Sequence, residues 1–224
     1  MKYRFHTPLD ALKAFPGKYE IHITVVTRDQ VALQRFVDFC AVKEAKAIVI
    51  QLSSGEHCTQ PMLCKRLSGA PEKVWEQIQE LCDGMASEGF SVERLKIEAA
   101  ISNANIPQHD EAATQLPEYC YFEHHLKLRL PADYDLTVLR AKVREYRGRL
   151  SSNAFWRDEE HREQFVTQRI RGGLGKAGKL LEVLRTFLAD NGVEIVKDIR
   201  EFNIYDSNIG LDAGWDGVDT GTRP

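Results

Sequence analysis

The stretch Tyr19-Glu20-Ile21-His22-Ile23-Thr24-Val25 returns as Phe122-Glu123-His124-His125-Leu126-Lys127-Leu128, with His125 standing 103 residues after His22. The same offset, without a gap, pairs Leu33 with Leu136, Arg66 with Arg169, Gly69 with Gly172, Lys73 with Lys176, Leu81 with Leu184, Gly89 with Gly192, Glu98 with Glu201 and Ile101 with Ile204. The chain reads as a tandem duplication. Each copy must then form the same unit, and the 224 residues divide into two similar lobes of domain size that share an interface.

Within the first copy, Tyr19, Ile21, Ile23 and Val25 alternate with Glu20, His22 and Thr24, the period-two pattern of a half-buried strand. That alternation puts the Glu and the His on one face. Asp29 can cap a helix carrying Val31, Phe36, Val37, Phe39 and Cys40 to about Ala45, and a short apolar strand follows over 47–52. A turn at 53–57 leads to a returning strand over 60–67, where Pro61 implies a late entry or an irregular position. Ala70-Pro71-Glu72 opens a helix with Val74, Ile78, Leu81 and Met85 on one face and Gly89 at its end, and 92–102 supplies the last strand. The second copy repeats the order with strand 119–130, helix 135–146, hairpin 149–155 and 163–171, helix 176–190 and strand 194–205. The expectation is an α+β fold, a tandem duplication of two ferredoxin-like βαββαβ units with antiparallel sheets. Its organisation is 1–106 for the first repeat, whose leader holds one helical turn at Thr7-Pro8, then a linker at 107–118, the second repeat at 119–209 and a tail at 210–224.

Composition narrows the partners. A net charge of −3, from 30 basic and 33 acidic residues, gives no general attraction to nucleic acid or to an anionic membrane. Five cysteines without CxxC spacing argue against a disulfide framework or a zinc knuckle. The amino-terminal residues lack the apolar core of a signal peptide, and no run approaches the roughly 18 apolar residues of a membrane span, so a cytoplasmic protein is expected.

In a ferredoxin-like sheet of order 4-1-3-2, the first strand lies between the fourth and the third. Glu20, His22 and Thr24 then neighbour Lys96, Glu98 and Arg66, and the second copy assembles Glu123, His125, Lys127, Arg169 and Glu201. The apolar rows Ile21/Ile23/Val25 and Leu95/Ile97/Ala99 face the helices, although Ile199 would share the face of Glu201. Two open sheet faces invite a cleft or barrel-like cavity on a pseudo-twofold axis. There His22, His125, Glu20 and Glu123 are candidates for acid/base work, and Thr24, Arg66, Glu98, Lys127, Arg169 and Glu201 for holding a ligand. His plus carboxylate also suits a metal, but the arginines favour an anion, so no metal is assigned and no cofactor is read from the motifs. The bland alternative is a structural one, with Glu20–Arg66 and Glu123–Arg169 as salt bridges buried between lobes.

Other signals are slighter. The turn from Arg169 through Gly172-Gly173 to Lys176 could seat a phosphate at a helix amino terminus, or simply open the helix. Asp206-x-Asn208-x-Gly210-x-Asp212 has calcium-loop spacing without the closing glutamate. His57 with Cys58 could ligate metal, His124 faces the core, and the tail beyond Asn208 is either frayed or folded over the site.

His22-Ile23-Thr24-Val25 resembles the His-x-Thr/Ser motif of the two-histidine phosphoesterases, a bilobal, pseudo-symmetric family in which one motif from each lobe flanks a phosphate. The resemblance implies His22 and His125 as acid and base and Thr24 as a phosphate-oxygen ligand; Lys127 stands where the family has Thr or Ser. Residues 123–127 are also similar to the ExExK strand of triphosphate-tunnel enzymes, without its second Glu. The expected function is therefore binding of an anionic or phosphorylated small molecule, with phosphoester hydrolysis as its catalytic form and non-catalytic ligand binding or a structural role as the alternative.

Overall fold

A computed structural model describes residues 5–52, 59–153 and 160–212. The turn at 53–57, the pair His57 and Cys58, most of the charged loop 156–161 and the tail from 213 lie outside the described residues. In chain order the elements are α1 (Pro8–Ala14), β1 (Lys18–Val26), α2 (Gln30–Val42), β2 (Lys46–Leu52), β3 (Thr59–Ser68), α3 (Pro71–Ser87), β4 (Ser91–Ala100), α4 (Asp110–Thr114), β5 (Tyr121–Pro131), α5 (Leu136–Glu145), β6 (Gly148–Asn153), β7 (His161–Ile170), α6 (Leu174–Asp190) and β8 (Glu194–Asp206), followed by a 3₁₀ turn, Ile209–Asp212.

The strands close into one antiparallel barrel of order β1-β3-β2-β6-β7-β5-β8-β4. Each copy contributes its own 4-1-3-2 arc, and the arcs join at two seams, β2 with β6 and β4 with β8. The register obeys the duplication. Adding 103 to one partner and subtracting it from the other turns Glu98↔Asn203 into Ala100↔Glu201, and maps Ala99↔Phe202 and Ile50↔Asn153 onto themselves. A pseudo-twofold axis therefore passes through both seams.

The hydrophobic core lies outside the barrel, under the helices. Ile21, Ile23, Val25, Leu95, Ile97 and Ala99 are buried there against Phe36, Cys40, Val74, Ile78, Leu81 and Met85 of α2 and α3. Val31, expected on the α2 face, is 71% exposed, because only Phe36 and Cys40 point fully inward. In the second half Leu126, Leu128, Val166 and Leu150 pack beneath Leu139, Val143, Leu181, Leu184 and Leu188. Asp29 and Asp135 cap α2 and α5 through the backbone N–H groups of Ala32 and Thr137, each at 2.8 Å. Pro61 sits where β3 has lost one neighbour, since its pairing with β1 ends at Met62.

Two segments carry more structure than their sequence implies. The leader forms α1, closed by a Thr7/Asp10 capping box, and Ala11, Leu12 and Phe15 enter the core. The connection between copies holds the five-residue α4. Its Asp110 Oδ1 accepts a hydrogen bond from the Gly173 N–H at 2.7 Å, so a carboxylate already fills the amino terminus of α6 where a phosphate was considered. Gly173 is required there because a Cβ would meet the backbone of Gln108 and His109 at about 2.6 Å. Among the described residues no helix is long and apolar enough to cross a membrane.

Candidate functional site

All eight strands contribute to a cavity of about 650 Å³ inside the barrel, most through polar rows and β2 through Ile48, Ile50 and Leu52. An eight-stranded barrel is wide enough to hold one small ligand when side chains leave room. Glu20, His22 and Thr24 come from β1, Arg66 and Cys64 from β3, Arg94, Lys96 and Glu98 from β4. Their counterparts at the 103-residue offset line the other half: Glu123, His125 and Lys127 from β5, Arg169 and Thr167 from β7, Lys197, Ile199 and Glu201 from β8. All ten candidate residues thus share one interior.

Register supplies the first contacts. Glu20 stands between Arg66 and Glu98, and Glu123 between Arg169 and Glu201. Glu20 Oε2 accepts from Arg66 Nε at 2.9 Å, and Glu123 Oε1 from Arg169 Nε at 2.8 Å. Both expected pairs form within their own halves, Glu123–Arg169 buried inside the barrel and Glu20–Arg66 at its exposed end. The Arg66 side chain is 73% exposed, whereas that of Arg169 is 13% exposed. Lys96–Glu123 and Arg94–Asp206 join the halves, and Lys96 Nζ also lies 2.6 Å from Glu98 Oε1.

The two histidines are in opposite states. His22 Nε2 donates to Glu98 Oε2 at 2.6 Å and its Nδ1 lies 2.9 Å from Cys64 Sγ. Burial opposes its charge, but Cys64 and Glu98 outweigh burial and raise its pKa well above the ordinary value, which favours the protonated ring. His125 has Nδ1 3.0 Å from Thr167 Oγ1, and burial lowers its pKa, leaving it neutral. Glu98 follows the same logic: burial pushes its pKa up, while Lys96 and His22 bring it well below the ordinary value. Glu201, beside Ile199 and near Glu98 and Glu20, is pushed up to about 9, chiefly by burial. It is protonated at neutral pH. His124 packs outward, 2% exposed, with Nδ1 3.0 Å from Gln168 Oε1.

At one end of the barrel Asp212, which follows the second repeat, joins residues of both halves. Arg94 Nε and Nη2 donate to Asp206 at 2.9 and 2.5 Å, and Arg94 Nη1 and Arg169 Nη2 both donate to Asp212 Oδ2 at 2.9 Å. Gln60 Nε2 donates to Asp212 Oδ1 at 3.1 Å. Asp212 thus folds into the site, and the carboxylates of the calcium-like spacing are committed to guanidinium groups. The strand directions put Glu44, Lys46, Lys65, Arg66, Lys127 and Lys197 at the opposite end, where Glu44, Lys46, Arg66 and Lys197 are exposed.

Among the described residues, two groups bring possible metal-donor atoms within 4.8 Å of one another, Glu20/His22/Cys64 and Glu98/Glu123/His125. In the first, Cys64 and His22 already bind each other; in the second, the Lys96 ammonium sits between the two carboxylates and opposes a cation.

No protein-family model and no curated protein matches the chain. Among solved structures it is similar to the acetolactate synthase small subunit from Thermotoga maritima, at 14% identity and a TM-score of 0.30, covering 84% of this chain and 98% of that one. It is also similar to chlorite dismutase from Candidatus Nitrospira defluvii, at 10% identity and a TM-score of 0.28, covering 83% and 90% of the two chains. At TM-scores this low no function is carried over from them.

Arg94, Lys96, Cys64, Thr167 and Asp212 complete the site beyond the candidates. The first four share the inward period of Glu98, His22, Arg169 and their neighbours, so alternation alone points to them. Asp212 follows the last strand and has no periodicity to betray it.

Proposed function

We propose that the barrel is a non-catalytic binding compartment for a small anionic molecule. The observation that carries this reading is the basic open end: Lys46, Lys65, Arg66, Lys127 and Lys197 surround the mouth against Glu20, Glu44 and Glu163, the last paired with Lys127 at 2.5 Å, while Asp212 lies at the far end. Deeper in, Arg94, Lys96 and Arg169 are each met by carboxylates, so the attraction for an anion is concentrated at the mouth. Arg66 uses only Nε on Glu20, and the remaining N–H groups of its guanidinium suit a phosphate or carboxylate.

Phosphoester hydrolysis is the second reading, favoured by the pairing of a charged His22 with a neutral His125, the two states an acid and a base require. Against it, both ring nitrogens of His22 are engaged, by Glu98 and Cys64, which leaves no proton directed at a leaving group. Binding without turnover accounts for both facts. Thermal melts with inorganic phosphate or sulfate should show stabilisation of the native protein and little in Arg66→Gln/Lys197→Gln, and a panel of cyclic phosphates, monoesters and triphosphates should remain intact. Turnover that disappears in both His22→Gln and His125→Gln would replace the binding reading with the hydrolytic one.

A further inference from the structure

Glu201 is the exception in this interior. Around it Arg94 is matched by Asp206 and Asp212, Lys96 by Glu98 and Glu123, Arg169 by Glu123 and Asp212, His22 by Glu98, and Arg66 by Glu20. Among the described residues no hydrogen bond or ion pair engages the Glu201 carboxyl, although the residue is only 9% exposed and lines the cavity. Its oxygens are not sealed off with the fully buried unpartnered atoms, so they face the cavity and are open to a ligand.

Its surroundings define the chemistry of that ligand. Glu201 pairs with Glu123 on β5 and with Ala100 on β4, two residues from Glu98, and Glu20 and Glu98 both act on it electrostatically. Those carboxylates repel an anion and favour a cation. His22, Lys96 and Arg66 also face it, but the first two are spent on Glu98 and Glu123 and the third on Glu20. A metal ion held by Glu98, Glu123 and His125 would meet the Lys96 ammonium between the two carboxylates. Next to Glu201 on the same inward row is Ile199, and Phe165, Met62, Ile48 and Ile50 continue an apolar wall toward β2.

We infer that Glu201, flanked by Glu20 and Glu98, receives the ammonium group of a small organic amine whose apolar part lies against Ile199, Phe165 and Met62. This rests on the compartment reading and deepens it: the ligand carries an amine in addition to the anionic group held at the mouth. Docking the ammonium exchanges a proton on Glu201 for the ligand's charge, so roughly one proton is released for each amine bound.

Calorimetry and thermal melts with n-butylamine, with butyrate and phosphate as separate arms, test the assignment. The native protein should bind butylamine with proton release, seen as a heat that depends on the buffer's ionisation enthalpy. Glu201→Gln, close in shape to the protonated side chain, should bind the amine at least about tenfold more weakly and keep its response to phosphate. Ile199→Lys, which copies Lys96 of the first half and supplies an internal cation, should lose the amine as well. Equal butylamine affinity in Glu201→Gln, binding without proton release, or stabilisation by zinc or manganese alone with none by butylamine would each overturn the inference. Loss of the phosphate response in the native protein, with the amine response intact, would defeat the mouth as an anion site and still support Glu201.

Discussion

Glu98 and Glu201 occupy the same place in two copies of one unit, each beside the central strand of its arc and each facing the barrel interior. One is ionised and the other holds its proton. The difference lies two residues along the strand, where the first half has Lys96 and the second has Ile199, and in the histidine that bridges to Glu98 but turns to Thr167 in the second half. Identical backbone placement therefore does not fix protonation. The counter-charge within reach does.

The largest contrast should come from the duplicated arginines. Arg169→Ala leaves Glu123 and Asp212 without one of their cations in a buried site and should cost about 3–5 kcal/mol in urea unfolding. Arg66→Ala removes an exposed pair and should cost under about 1 kcal/mol. Similar losses at the two positions would mean that burial does not separate the halves in this way.

Next, the glutamates should respond with opposite signs. Glu98→Gln breaks the links to His22 and Lys96 and should destabilise by about 2–3 kcal/mol at pH 7. Glu201 has a folded pKa raised to about 9 from 4.5, so its contribution is fully present below 4.5 and is lost as pH rises toward 9. Glu201→Gln should accordingly be more stable than the native protein by about 1–3 kcal/mol at pH 8 and nearly equal to it at pH 4. Destabilisation at both pH values would show that Glu201 is ionised and paired in the folded state.

The histidines sharpen the comparison most finely. His22 has a raised pKa, so its stabilisation is present below pH 6.5 and fades as pH climbs through the folded value; His125 has a lowered pKa, so its contribution is present above 6.5 and fades as pH falls. Stability-pH curves of His22→Gln and His125→Gln should each lose one of these slopes, by about 1–2 kcal/mol. A change on the same side in both variants would erase the asymmetry.

Much of this was legible in the chain. The repeat offset and the alternation of Glu20, His22 and Thr24 against Ile21, Ile23 and Val25 lead to the unit, to its strand order and to the inward face, because side-chain period and register are local properties. Ile199, an apparent misfit on a polar face, belongs inside and supplies part of the apolar wall. Exposure was not legible: nothing in the duplicated Arg66 and Arg169 says that one stands at the mouth and the other is drawn to a carboxylate from the tail. Nor could periodicity place Asp110 on α6 or Asp212 on Arg94, since both contacts are made by irregular chain after an element has ended.

The two seams have a consequence for what a fused chain can encode. Two identical half-length chains, joined edge to edge through the same seams, would close a barrel with the same residues at both symmetry-related places. Such a homodimer would carry a lysine beside both carboxyls, or an isoleucine beside both. By placing both arcs on one polypeptide, the molecule can vary Lys96 and Ile199 separately, and so keep a fixed charge on one side of its axis and an exchangeable proton on the other.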